Sequence, residues 1–141
     1  MKIVVRNQQK KIALSPQKIK AVARKALTLE RRKKTGEITI SFLTDPQIRE
    51  LNLLYRGQYN PTDVLSFDIS KDKKEILADI AISTDTAIRQ ARNFKTSTLF
   101  ELYLYVVHGI LHILGYDDET KSERKIMEEK TKRILLSCKL L

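Results

Sequence analysis

The sequence predicts an α+β (mixed α/β) fold in which one sheet of about four strands packs with about five helices. Short β-branched or alternating apolar segments are interspersed with longer segments whose apolar residues recur at helical spacing. Hydrophobic residues make up 42% of the 141 residues, and no repeat, linker or low-complexity tract interrupts them. We therefore expect a single domain that spans residues 1–141 and buries one core.

The chain begins with a strand and a helix. A β-branched run at residues 3–5 is typical of a strand. Ser15 and Pro16 then supply a helix N-cap and a proline at the first helical position, and apolar residues follow at helical spacing. The basic run at residues 30–34 suits the negative end of a helix dipole. We expect the helix to end in this run, with Gly36 closing the segment.

The middle of the chain alternates between strands and a helix. Residues 37–43 alternate and are β-branched, which predicts the second strand. Residues 44–46 are typical of a helix start, and Gly57 ends that helix. Residues 64–69 and 76–82 are apolar and β-branched, so they predict the third and fourth strands.

Three helices complete the prediction. Ser83 or Thr84 caps a short helix that extends to about residue 93. Thr96 or Ser97 caps the next helix, which Gly115 ends as the residue after its C-cap. The last helix covers residues 119–137. Its expected inner face consists of Ile126, Met127, Ile134 and Leu135.

The charge balance favours a polyanionic partner. Lysine and arginine number 27 against 17 acidic residues, which gives a formal net charge of +10. A surplus of this size on a small domain is typical of proteins that bind nucleic acid. Charge alone fits an inert basic surface equally well, so RNA binding needs support from a specific site.

Cysteine usage and hydropathy indicate a cytoplasmic protein. Cys138 is the only cysteine and can form no internal disulfide, so we interpret it as a small apolar core residue in a reducing compartment. The most apolar segment, residues 99–116, contains Glu101, His108 and His112, which argues against a membrane span. The N-terminal apolar run is too short for a signal peptide.

A histidine pair near the end of the fourth predicted helix carries the chemistry. His108 and His112 are the only two histidines, and their spacing of four places both imidazoles on one helix face, roughly 6 Å apart. Two imidazoles at that distance can bind one metal ion. Gly115 then lets the chain turn back, so Asp118 is the expected third ligand and Asp117 the alternative. Hydrogen-bonded core histidines are the competing interpretation.

The same spacing occurs in metzincin proteases. The second histidine, the glycine and Asp118 follow His108 by four, seven and ten residues, with aspartate where metzincins use histidine. Gly109 occupies the position of the glutamate that serves as general base in those enzymes. The sequence therefore predicts the metal geometry of these proteases without their catalytic base.

Two other polar residues are candidates for the site. Asp79 interrupts an apolar strand, and burying a carboxylate there is costly unless it is hydrogen-bonded. It could accept the second ring N–H of a ligand histidine and fix its tautomer; the alternative is an exposed strand face. Arg56 lies at a predicted helix end, where local sequence alone favours a solvated cation.

These residues resemble a known family. The run His108-Gly-x-Leu-His112-x-x-Gly115-Tyr-Asp is similar to the signature of the YbeY endoribonucleases, the bacterial rRNA maturation factors. The segments Tyr-Arg-Gly at 55–57, Pro-Thr-Asp-Val-Leu-Ser-Phe at 61–67 and Ala-Asp-Ile at 78–80 also resemble family segments in the same order. The resemblance covers about residues 38–127.

The resemblance implies an α/β metalloprotein that cleaves single-stranded RNA. It implies a role in processing ribosomal RNA, notably the 3′ end of the small-subunit RNA, and in ribosome quality control. Ribosomal RNA and the small ribosomal subunit are the implied partners. By position, His108 and His112 match metal ligands, with His108 also in the catalytic centre, and Arg56 matches an arginine that binds substrate and acts in catalysis.

Two departures from the family pattern affect this expectation. Asp118 stands where the family has a third histidine, and Ala78 replaces a glycine. Aspartate can bind zinc, but its charge makes the ion a weaker Lewis acid. One divalent ion, most simply zinc, is expected. Iron, nickel and manganese stay open because two histidines and a carboxylate also suit them.

The expected reaction is single-metal hydrolysis of a phosphodiester, with water or the RNA 2′-hydroxyl as nucleophile. Arg56 would neutralise the phosphoryl oxygens, and Asp63 and Asp117 are the weak candidates for the general base. Three alternatives stay open at this point. They are a non-catalytic ribosome-associated or RNA-binding module with a structural metal, a metalloprotease, and a non-haem iron enzyme. The oligomeric state is undetermined.

Overall fold

The computed structural model describes residues 1–31, 35–72 and 74–140. These residues form four strands and five helices, which confirms the predicted α+β class. The elements in chain order are β1 Lys2–Asn7, α1 Pro16–Leu29, β2 Thr35–Leu43, α2 Asp45–Arg56, β3 Val64–Asp68, β4 Glu75–Ser83, α3 Thr84–Phe94, α4 Thr98–Ile113 and α5 Lys121–Ser137.

The four strands form one mixed sheet in the order β1-β2-β4-β3. β1 and β2 pair in parallel, as do β2 and β4, whereas β3 runs antiparallel to β4 at one edge. Parallel pairs need crossover connections, and the helices between these strands provide them. The segment that follows α2, residues 57–63, leads directly into the antiparallel edge strand β3.

The two faces of the sheet carry different helices. Alternate side chains of β2 and β4 enter the main core, which α1, α4 and α5 cover. The opposite face carries a smaller apolar cluster under α2, formed by Leu43, Ile48, Leu65 and Ala81. A residue of β4 therefore faces either α4 or α2, depending on its place in the alternation. None of the helices in the described ranges has the length and apolarity to cross a membrane.

The structure refines the end of one helix and corrects the inner face of another. Helix α1 ends at Leu29, with Glu30 as its C-cap and Arg31 at a φ of 55°, so the basic run is not helical where it is described. Residues 32–34 of that run lie outside the described residues. Ile126 was expected on the inner face of α5 but is 47% exposed, because the buried stripe passes through Met127, Thr131, Ile134 and Leu135 instead.

Gly36 also differs from its predicted role. It lies inside β2 rather than closing the first helix, because the strand begins at Thr35. Its φ of 134° lies outside the range of most side chains, and a Cβ there would come within 1.8 Å of the Ile76 carbonyl oxygen. The glycine thus permits close approach of β4 at the start of the strand pair.

A second glycine sets the distance between α4 and the sheet. A Cβ on Gly109 would approach Cγ2 of Ile80 to 2.7 Å, and the Gly109 carbonyl accepts a hydrogen bond from Oγ of Ser66 at 3.3 Å. The helix therefore lies directly on β3 and β4. His108 precedes this contact, and His112 lies one turn beyond it.

A buried carboxylate joins the start of α2 to α3. Asp45 accepts hydrogen bonds from Oγ of Ser83 at 2.6 Å, Oγ1 of Thr86 at 3.2 Å and Nη1 of Arg89 at 2.6 Å. Burial alone would raise the pKa of Asp45, but the hydrogen bonds and the charge of Arg89 outweigh it and lower that pKa. These bonds hold α2 against the rest of the domain, and Arg56 is the last residue of α2.

Replacing Gly109 with alanine tests the close contact of α4 with the sheet. Alanine is the better helix former, by up to about 1 kcal/mol, and would stabilise an unconstrained helix. Here we expect Gly109→Ala to lower the free energy of unfolding by about 1–3 kcal/mol, because Ile80 is displaced. Urea unfolding measures the change. A Gly109→Ala variant at least as stable as the wild type would contradict the contact.

The Asp45 network predicts acid sensitivity. Because the folded-state pKa of Asp45 lies below its ordinary value of 3.8, the ionised carboxylate stabilises the fold above that pH. This contribution disappears as the pH falls through 3.8 to the lowered folded pKa. We expect Asp45→Asn to cost about 1–3 kcal/mol at pH 7 and much less at pH 2. Equal losses at both pH values, measured by denaturant unfolding, would refute this assignment.

Candidate metal centre and active-site pocket

The C-terminal end of α4 shapes the site. Gly115 has a φ of 100°, and its N–H donates to the His112 carbonyl at 3.0 Å. The next N–H, of Tyr116, donates to the Leu111 carbonyl at 3.0 Å. These two bonds form a Schellman motif, in which a left-handed residue stops the helix and reverses the chain. The segment 116–119 is thereby directed back towards the histidine face of α4.

The reversed chain also orients one imidazole. Nδ1 of His112 donates to the Tyr116 carbonyl oxygen at 3.0 Å, since a carbonyl can only accept. This bond places the proton on Nδ1 and leaves a lone pair on Nε2, the nitrogen that can bind a metal. The backbone carbonyl of Tyr116 therefore performs the orienting role that we predicted for Asp79.

Tyr116 is itself held by α5. Nζ of Lys130 lies 4.8 Å from the centre of the Tyr116 ring and donates to Oε2 of Glu30 at 3.1 Å. Burial would raise the pKa of Glu30, but its hydrogen bonds from Tyr116 and Lys130 and the charge of Lys130 lower it overall. No local pattern in the sequence predicts this group, because Glu30 and Lys130 are 100 residues apart.

Three side chains converge beyond the helix end. Ligand atoms of His112, Asp117 and Asp118 all lie within 4.8 Å of one another, and Nε2 of His112 is 3.7 Å from Oδ2 of Asp118. Two ligand atoms on one tetrahedral ion lie about 3.4 Å apart. The imidazole and the two carboxylates thus fit a divalent cation by both distance and chemistry. Both candidate aspartates are in the cluster.

His108 lies beside this cluster but is not part of it. It is half-buried and lines the same cavity as His112, Asp117 and Asp118. Burial lowers the pKa of His108, the nearby His112 lowers it further, and Asp63 and Asp118 oppose the shift. The neutral imidazole is consequently favoured at pH 7.

The cavity is acidic except for Arg56. It has a volume of about 590 Å³ and is lined by five carboxylates, those of Asp63, Asp68, Asp117, Asp118 and Glu119. Arg56 is the cation among its described lining residues. A polyanion would be repelled by this lining unless a metal cation and Arg56 offset it. The sequence-predicted Arg56, His108, His112 and Asp118 are therefore brought together in one pocket.

The predicted contact between Asp79 and a histidine is wrong. Ala78 and Ile80 enter the core under α4, so Asp79 points to the opposite face and is exposed. There it is paired in register with Thr39 and Phe67. The two-residue period of β4 places the sheet between Asp79 and both histidines. Asp79 therefore lies on an exposed strand face, which was the alternative interpretation.

Comparisons with known proteins identify the family of this chain. The family described as Endoribonuclease YbeY matches residues 4–139. An Endoribonuclease YbeY of Syntrophomonas wolfei is 34% identical, with 99% of each chain covered. One from Petrotoga mobilis is 42% identical over 87% of this chain and 85% of its own.

A solved structure supports the fold as well. The solution structure of a Thermotoga maritima protein matches with a TM-score of 0.62 at 24% identity, and the match covers 96% of this chain and 90% of that one. The family match spans both the histidine helix and the pocket around it. This chain belongs to the YbeY endoribonuclease family.

Proposed function

We propose that this protein is a metal-dependent endoribonuclease that cleaves single-stranded RNA. The observation that carries the proposal is the convergence of His112, Asp117 and Asp118 with Arg56 in one pocket of a YbeY-family chain. A cation site beside an arginine is suited to a phosphodiester, whose charge increases in the transition state. The proposed enzyme is one domain over residues 1–141.

The proposed ligands are His108, His112 and Asp118, with Asp117 close enough to replace or join them. Zinc is the first choice, because an imidazole–carboxylate set is common in its catalytic sites. Iron, nickel and manganese share this donor preference. When bound, such an ion supplies positive charge that acidifies water and stabilises phosphoryl oxygens.

The chain's own residues bind and orient the RNA. Arg56 offers a planar guanidinium that can hold two oxygens of one phosphate. Hydrolysis forms a bond from the nucleophile oxygen to phosphorus, breaks the bond to a ribose oxygen and transfers a proton to that leaving oxygen. Asp63 is a candidate to carry the proton because the Val64 N–H fixes its Oδ1 at 2.7 Å. Asp117 is the second candidate.

Ribosomal RNA is the proposed substrate, as the family resemblance implies. We place the protein in the cytoplasm, acting on the 3′ end of the small-subunit RNA and in ribosome quality control. The net charge of +10 supports a nucleic acid partner. A metalloprotease is disfavoured because Gly109 stands where such an enzyme has its glutamate general base.

Metal analysis of purified variants tests the ligand set. We expect about one divalent ion per wild-type chain and a large loss in His108→Ala, His112→Ala and Asp118→Ala, because each removes a ligand atom. Glu119→Ala removes a pocket carboxylate outside the His112, Asp117 and Asp118 cluster, so it is the matched control and should retain the metal. Elemental analysis by mass spectrometry measures the content. Full retention in Asp118→Ala together with loss in Asp117→Ala would reassign the third ligand, and a metal-free wild type would refute the centre.

Replacing Arg56 separates catalysis from folding. We expect Arg56→Ala to retain metal and thermal stability but to cleave single-stranded RNA about 10²–10³-fold more slowly, because it loses a cation at the phosphoryl oxygens. Arg49→Ala removes the same charge from α2 away from the pocket and serves as the control. Gel analysis of a labelled oligonucleotide gives the rates. Equal rates in both variants would remove Arg56 from the mechanism.

A further inference from the structure

A second cavity opens beside the metal pocket. It lies between α4 and α5, has a volume of about 570 Å³ and shares His108 and Asp118 with the first cavity. A ligand that occupies the second cavity therefore reaches the reacting centre. None of the roles proposed above uses this cavity.

The walls of the second cavity are apolar and its rim is charged. Phe100, Leu104, Met127 and Leu135 contribute apolar surface from the two helices. Arg124, Glu128 and Lys132 also line it, and all three are exposed. An apolar cleft whose rim offers two cations beside one carboxylate is suited to a flat aromatic ring attached to a phosphate.

Arg124 is fixed at the junction of the two cavities. Its Nη1 donates to the Asp118 carbonyl at 3.3 Å and the Glu119 carbonyl at 2.9 Å. The guanidinium is thus tied to the loop that carries the proposed metal ligand. It offers its remaining N–H groups to a phosphate that passes from one cavity to the other.

We propose that this second cavity is a nucleobase-binding pocket for the RNA strand cleaved at the metal centre. A base would lie against Phe100 and Leu104 and extend its phosphate towards Arg124 and the metal pocket. The inference rests on the proposed function, since it assumes that RNA occupies the neighbouring site. It explains selection of single strands, because a base must leave its stack to enter.

Mononucleotides test the pocket without any cleavage, because they contain no internucleotide bond. We would titrate the wild type with each of the four ribonucleoside 5′-monophosphates and with ribose 5-phosphate, which has the phosphate but no base. NMR follows the methyl groups of Leu104, Met127 and Leu135. We expect at least one nucleotide to bind about tenfold or more tightly than ribose 5-phosphate, with shifts at these methyls.

Two variants connect the binding to the cavity. Leu104→Trp fills the space and should remove the advantage of the nucleotide over ribose 5-phosphate. Leu136→Trp, at a 51% exposed position of α5, is the matched control and should retain it. Phe100→Ala removes the aromatic wall and should weaken nucleotide binding about tenfold, with ribose 5-phosphate binding unchanged, even if Leu104→Trp does not fold.

The outcomes separate this inference from the proposed function. Equal binding of nucleotides and ribose 5-phosphate, or methyl shifts elsewhere, overturns the nucleobase pocket even if the enzyme cleaves RNA. Base-dependent binding at the cavity with no RNA cleavage supports the pocket and overturns the endoribonuclease proposal. A wild-type dimer that Leu104→Trp converts to a monomer in light scattering would assign the cavity to a second copy, which overturns the inference.

Discussion

The hydrogen bond from Nδ1 of His112 to the Tyr116 carbonyl is the interaction on which the site depends. It exists because Gly115 adopts a left-handed conformation that stops α4 and turns the next residue back by one helical turn. The same reversal brings carboxylate oxygens of Asp117 and Asp118 within 4.8 Å of a ring nitrogen of His112. The conformation of Gly115 therefore both orients the His112 imidazole and places the two carboxylates beside it. A residue with a Cβ at position 115 would be strained there, although no neighbouring atom blocks it.

The surrounding helices stabilise this turn from two sides. Gly109 lets α4 lie directly on β3 and β4. The close contact fixes the distance between the sheet edge and the helix face that carries both histidines. On the other side, Lys130 and Glu30 hold the Tyr116 ring. Buried ion pairs contribute modestly to stability, but they define geometry when their partners come from different elements. Here the pair connects α5 to the end of α1 and thereby limits the movement of the turn.

The charge of the pocket is opposite to the charge of the whole protein. Five carboxylates line a cavity in a protein whose net charge is +10, so the local and overall charges are opposite in sign. A basic surface attracts RNA over distances comparable to the Debye length, whereas the acidic pocket is suited to concentrating metal cations. Arg56 reaches this pocket from α2, which packs on the other face of the sheet. The Asp45 network at the opposite end of α2 keeps that helix in place.

The sequence by itself determined the α+β class, the order of the elements and the histidine pair, because hydrophobic period, capping residues and a spacing of four are local properties. Gly57 and Gly115 were identifiable as helix ends for the same reason. The tertiary structure alone decided which side of β4 Asp79 faces, since the register of a strand depends on what packs against it. It also decided that both Asp117 and Asp118 reach His112, and that Glu30 and Lys130 support Tyr116 across 100 residues of chain. Contacts between distant segments depend on the angles and positions at which the helices cross the sheet. No local sequence pattern predicts that crossing geometry.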